Sequence, residues 1–279
     1  MDPNFIEIGH RPLTQVKGAL DENTFRNPSA EDRIHFFKSE GCVISELQRV
    51  IHSTVLVSET PDYPGGSGVI ITFDGKKYVI TATHVIGDLV AGQYGKPELK
   101  YYYRDTHGQV KEGIMSRGNI LYDSTTARER DLQATDVAIF PFDGDNEGVE
   151  ISDQEVPTEN SQVAVAVGYP GEHQDGWKDT GKPLLSVGRM FRDKPKEMTP
   201  YMRELMAKYM KESGEKEGVD LKVNFTGRVI PGNSGGPLVD VAGKVVGVCH
   251  GPRGTLGKED GIERFSDFRA ILRQISSPS

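Results

Sequence analysis

The chain has 279 residues, 36% of them hydrophobic and 27% charged, with a formal net charge of −8 and a pI of about 5.5. That apolar content supports a packed core and excludes a chain disordered throughout. The acidic balance argues against nucleic acid as a partner, because phosphates call for a basic face. Met1 to Leu20 carries Asp2, Glu7, His10, Arg11 and Lys17 where a signal peptide or anchor needs an apolar run. No stretch reaches the roughly 18 apolar residues of a spanning helix. The two cysteines, Cys42 and Cys249, are far apart, as in a reduced protein, with a disulfide between them as the alternative. The expectation is a soluble, cytoplasmic protein that binds neither nucleic acid nor membrane.

Residues 1 to about 40 are polar and punctuated by proline, and residues 1–52 are expected to form an N-terminal extension ending in a short helix over Ser45 to His52. Strand texture begins at Ser53. STVLVS (53–58) is one strand, and GSGVIITFDGKKYVITATHVIG (66–87) is a hairpin about Asp74-Gly75, a strong turn signal between β-rich runs. Further strands are expected at 98–105, 109–123 and 136–142. A second group follows at 161–171, 183–191, 221–229, 235–251 (with a tight turn at Ala242-Gly243) and 260–267. Met202, Leu205, Met206, Tyr209 and Met210 share one helical face, so an inserted helix is expected near 199–215, started at Thr199-Pro200. The charged stretch 211–218 reads as a solvated loop. A last helix is expected over 266–275, capped by Ser266 or Asp267. Regular strand–helix alternation is absent, which argues against a parallel α/β sheet. The chain reads as all-β, in two successive groups of strands.

The sharpest local signal is VIPGNSGGPLV (229–239). Gly232-Asn233-Ser234-Gly235-Gly236 sets a serine among glycines just before an apolar strand. A nucleophilic hydroxyl needs a tight turn, and the N–H groups beside it must converge on the oxygen of a tetrahedral intermediate. An ordinary glycine-rich turn is the bland alternative. The G-x-S-x-G elbow of α/β-hydrolases is another, but that motif needs a following helix and an acid and a histidine downstream. Here a β-rich run follows, with His250 alone downstream.

A serine needs a base. Of the seven histidines, His84 ends an apolar strand in YVITATHVIGD, where it either faces a cleft or is a satisfied structural residue. The base needs a carboxylate to fix its tautomer. Asp136 precedes the apolar run VAIFPF, either as that partner or as a strand cap.

The three occur in the order His, Asp, Ser. TATHV, TDVAIF and PGNSGGPLV resemble the T-A-A-H, D-[IV]-A and G-[DN]-S-G-G-P segments of the trypsin-like peptidase superfamily. GSGVII, VGYPG, GKVVGV and the Asn before the serine are more similar to the HtrA/Deg branch and to other bacterial or viral relatives than to digestive trypsins. The resemblance covers about residues 53–275. It implies two six-stranded antiparallel β-barrels, about 53–150 and 160–265, within a protease domain at 53–279. It further implies a serine endopeptidase with protein or peptide substrates and neither metal nor cofactor. His84 is then general base, Asp136 its orienting acid and Ser234 the nucleophile. The oxyanion hole falls on the turn Gly232, Asn233 and Ser234, with the N–H groups of Gly232 and Ser234 as donors.

The chain departs from the family pattern in two places. About 45 residues follow Ser234, too few for the PDZ domain of HtrA proteins, and the I-V-G-G start of secreted zymogens is missing. By the same resemblance Arg228, six before Ser234, falls at the base of the S1 pocket, where a cation favours an acidic P1 side chain. Cys249, His250 and Gly251 lie on the strand that lines its wall. Cys249 reads as a buried small hydrophobe rather than a nucleophile. The alternatives are a protease-fold scaffold with latent activity awaiting a protein activator, and a polyprotein-processing protease.

Overall fold

The computed structural model describes residues 35, 37–58, 65–90, 97–125, 136–158, 161–169, 183–192, 222–227, 229, 231–252 and 263–276. Most of the N-terminal segment, the expected helix at 199–215, the loop at 211–218 and Arg228 lie outside them.

Strands follow one another as expected. In the first half they are β1 (Thr54–Val57), β2 (Gly66–Phe73), β3 (Lys76–Thr81), β4 (Glu98–Arg104), β5 (Val110–Ser116), β6 (Tyr122–Asp123), β7 (Ala138–Pro141) and β8 (Val149–Glu150). They form one eight-stranded sheet in the order β5-β4-β1-β2-β3-β7-β6, with β8 added parallel to β2. Six strands were expected; β6 is the detached end of one of them and β8 is a two-residue addition. The run 109–123 reads as one strand in sequence but breaks. Ser116 and Asn119 cap a 3-10 turn (Arg117–Asn119), the Ser116 N–H donating to Asn119 Oδ1 at 2.8 Å. The β2–β3 hairpin turns at Asp74 and Gly75, both with positive φ (50° and 70°), the backbone that Asp-Gly is suited to supply.

The second half is a closed six-stranded barrel in the order β10-β11-β14-β13-β12-β9. Its strands are β9 (Gln162–Gly168), β10 (Leu184–Phe191), β11 (Lys222–Phe225), β12 (Pro237–Asp240), β13 (Val245–Pro252) and β14 (Glu263–Ser266). The β12–β13 turn uses Gly243 at φ +75°. Phe225 and Phe265 meet edge to face at 5.6 Å in the barrel core. The architecture is thus mainly β, as a chymotrypsin-type fold requires. Among the described residues no helix is long and apolar enough to cross a membrane.

Two helices seal the seam between the halves. The first (Ile44–Ser53) buries Leu47, Val50 and Ile51, and the last (Arg269–Ser276) buries Ile271 and Leu272. These side chains share one cluster with Val69, Ile71 and Ile80 of the first half and Val165, Val167, Val239 and Val248 of the second. Each fully buried aliphatic contributes about 1.5–3 kcal/mol, so the seam is held chiefly by apolar burial.

A buried ion-pair network pins the last helix. Arg269 donates through Nε and Nη2 to Asp267, at 2.8 and 2.7 Å, and through Nη1 to the carbonyls of Ser152 (2.8 Å) and Gln154 (2.6 Å) on the segment joining the halves. Arg192 also pairs with Asp267. The helix starts at Arg269, three residues into the expected range, and Asp267 Oδ1 accepts the Arg269 N–H (3.1 Å), as a capping side chain does, while the same carboxylate serves the network. Arg269→Met is expected to lower the unfolding free energy by about 3 kcal/mol in urea titrations, since it orphans two carbonyls and half of the Asp267 pairing. A loss below about 1 kcal/mol contradicts the clamp.

Candidate active site

His84 lies just beyond β3, on a 3-10 turn (Thr83–Ile86). β3 is buried on both faces from Tyr78 to Thr81, and Ala82 and Thr83 are buried too, so the chain first reaches the surface at His84. Thr83 Oγ1 donates to the Val137 carbonyl (2.7 Å) and bonds Ser124 Oγ (2.8 Å), which fixes this turn to the residue after Asp136. The His84 backbone N–H donates to Asp136 Oδ1 at 2.9 Å, and the ring Nδ1–H donates to Asp136 Oδ2. A carboxylate only accepts, so the ring proton sits on Nδ1 and Nε2 is left as the basic nitrogen. The His84 side chain is 48% exposed and that of Asp136 13%, an open base on a sheltered acid.

Asp136 is also tied to the second barrel, its N–H donating to Ser266 Oγ at 3.2 Å. Burial pushes its carboxyl pKa up. The bonds and charge from His84, and the charge of His250, outweigh burial and leave it below the ordinary 3.8.

The Ser234 turn is built by glycine. Gly232 and Gly235 take φ values of +94° and +82°. A Cβ on Gly235 would lie 2.2 Å from the Ser67 carbonyl, 2.3 Å from Thr81 Oγ1 and 2.8 Å from the Ala82 nitrogen. Backbone therefore packs on backbone, which sets the residue after Ser234 against the residues just before His84. Three further bonds lock the turn from below: the Gly235 N–H to the Cys249 carbonyl (2.8 Å), the Cys249 N–H to the Gly236 carbonyl (2.8 Å) and the Gly236 N–H to the Asn233 carbonyl (2.9 Å).

Ser67 on β2 is a functional residue that the sequence reading did not single out. It is fully buried. Its N–H donates to the Ser234 carbonyl (2.7 Å), and its Oγ donates to the Gly232 carbonyl (2.7 Å) and accepts the Tyr169 N–H (2.8 Å). Its own carbonyl accepts Thr81 Oγ1 at 2.6 Å. One residue of the first half thus holds both ends of the Gly232–Ser234 turn of the second. The signal was the Gly66-Ser67-Gly68 triplet inside an apolar strand, a place where backbones approach closely.

The expected pocket residues divide. Cys249 points into the second-barrel core and offers the cleft only its backbone. Strand alternation then turns His250 the other way, and its Nε2 lies 3.9 Å from Asp136 Oδ2. Gly251 continues β13. Arg228 is outside the described residues, so the structure does not bear on its place in a pocket. Asn233 is buried, and among the described residues its Oδ1 and Nδ2 have no hydrogen-bond partner.

Two outcomes test this geometry. Ser67→Ala strands the Gly232 carbonyl and the Tyr169 N–H, and is expected to cost about 2 kcal/mol in urea unfolding, with faster amide exchange at Tyr169; unchanged exchange contradicts the clamp. A folded-state carboxyl pKa below the unfolded value makes the Asp136 contribution full above the unfolded pKa, and it is lost as pH falls through the lower folded value. The stability gap between wild type and Asp136→Asn should therefore be widest above about pH 5 and should shrink below about pH 3. A gap that does not narrow toward low pH contradicts the lowered value.

Comparison with known proteins bears on the fold and the family. No curated protein sequence matches the chain. Among solved structures, Deg5 is similar over 85% of this chain and 92% of its own, at 18% identity and a TM-score of 0.53. The MamO protease domain from Magnetospirillum magneticum is similar over 83% of this chain and 100% of its own, at 20% identity and a TM-score of 0.52. At those identities the likeness is one of fold. The model of the trypsin-like peptidase domain family matches residues 66–248, the span from β2 to β13 that carries His84, Asp136 and Ser234, and the chain belongs to that family.

Proposed function

We propose that the protein is a serine endopeptidase acting through His84, Asp136 and Ser234. The observation that carries this reading is the His84–Asp136 pair, bonded through both the ring and the backbone of His84, beside a turn that puts Ser234 next to a residue packed on Thr81 and Ala82.

Ser234 Oγ attacks the scissile carbonyl carbon while its proton passes to His84 Nε2. Asp136 keeps the ring in the required tautomer and stabilises the imidazolium. The negative oxygen is taken by the N–H groups of Gly232 and Ser234, which donate to no other described residue. Collapse breaks the C–N bond as His84 returns the proton to the leaving amine, leaving an ester on Ser234. Water, deprotonated by His84, then attacks the ester carbonyl; the C–O bond to Ser234 breaks, the acid leaves and His84 returns the proton to Ser234 Oγ. No step calls on a metal or cofactor.

The buried amide of Asn233, without a partner among the described residues, supports a second element of this reading, a turn whose final form depends on an activating protein partner or on the substrate. An acidic P1 preference, through Arg228, remains part of the proposal. Cys42 is free and buried, and burial, with the charge of Glu40, pushes its thiol up to about 11, so it is no rival nucleophile. Two buried cysteines that are not joined to each other support a reducing, cytoplasmic setting.

A fluorophosphonate probe is expected to label the wild type at Ser234. Labelling should disappear in Ser234→Ala and fall by about three orders of magnitude or more in His84→Ala. Labelling that survives Ser234→Ala contradicts the assignment. A wild type labelled only after addition of a protein activator identifies the latent form.

A further inference from the structure

Asp136 is faced by a second imidazole that the catalytic steps above do not use. His250 belongs to β13 of the second barrel, whereas His84 and Asp136 belong to the first half. Its Nε2 approaches Asp136 Oδ2 at 3.9 Å, and His84 Nδ1 binds that same oxygen. The ring is partly covered, and its Nδ1 is buried with no hydrogen-bond partner among the described residues. Both imidazoles therefore approach one carboxylate oxygen.

We propose that His250 is a positioning residue, an N–H donor from the second barrel that holds the Asp136 carboxylate in register with His84. The inference deepens the peptidase reading and, for its effect on turnover, rests on it. The charged and titratable groups bearing on His250 are Asp136, His84, Lys222 and Arg264. Burial lowers its pKa below 6.5; Asp136 opposes that, and His84, Lys222 and Arg264 add to it. The ring therefore meets Asp136 uncharged at neutral pH. Because a carboxylate only accepts, the proton belongs on Nε2. A movement of about 1 Å closes the gap to a hydrogen bond, and such bonds are often long before substrate binds. The arrangement places a donor of one barrel on the acid of the other, so the register of the two halves is communicated to the base.

The test uses the full-length protein with His250→Ala and His250→Gln, whose amide N–H lies roughly where the imidazole Nε2 does. One readout is the low-field proton NMR signal of the His84–Asp136 hydrogen bond, which needs no turnover. The other is kcat and KM on peptide substrates. The Ala variant is expected to shift and broaden the signal and to lower kcat about tenfold, the loss of one hydrogen bond to a charged group, with KM within about twofold. The Gln variant should restore both. An unchanged signal in His250→Ala overturns the inference, as does a wild type with no such signal. A changed P1 preference with an unchanged signal makes His250 a wall of the substrate pocket instead. A shifted signal in a protein that hydrolyses no peptide keeps the positioning role and removes the peptidase reading. Hydrolysis with no shift does the reverse.

Discussion

Everything at the cleft depends on one close approach, that of Gly235 to β2 and β3. No side chain fits between Gly235 and the Ser67 carbonyl, Thr81 Oγ1 and the Ala82 nitrogen. The turn carrying Ser234 and the strand leading to His84 come from opposite halves of the chain, and this contact sets them side by side without flexible groups between them. Ser67 then fixes its orientation by bonding the carbonyls of Gly232 and Ser234. Preorganisation of this kind matters for catalysis because a donor or nucleophile displaced by about 1 Å loses much of its effect.

The contact holds only while the two halves stay in register. The seam is apolar, built from both helices and from strands of both halves, and apolar burial is strong but not directional. Direction comes from polar links across it: Arg269, held by Asp267, on the joining segment, Ser266 on the Asp136 backbone, and Ser67 on the Ser234 turn. The residues that define register are thus few, buried and polar, and each is satisfied by a partner distant in sequence.

Much of this was legible in the sequence, for physical reasons. Asp74-Gly75 and Ala242-Gly243 marked hairpins because their turns need positive φ, and the structure has it at Asp74, Gly75 and Gly243. His84, Asp136 and Ser234 stood out because each sits where an apolar strand meets a turn. Asp267 was expected as a helix cap and does accept the Arg269 N–H, but its second use, in an ion-pair network with Arg269 and Arg192, had no local signal. Ser67 escaped notice because its partners, Gly232, Ser234 and Tyr169, lie more than a hundred residues away. His250 was expected to line a pocket, and only the fold reveals that its ring nears Asp136. Such side chains carry no local pattern, since their meaning is created by the packing of the two halves.

The central claim is that Ser234 forms the covalent intermediate. A slowly hydrolysed activated ester, with the protein quenched in acid and mapped by tandem mass spectrometry, tests it most directly. The account predicts one acyl group, on Ser234, that accumulates and then decays. An acyl group on another residue, or ester turnover retained in Ser234→Ala, contradicts it.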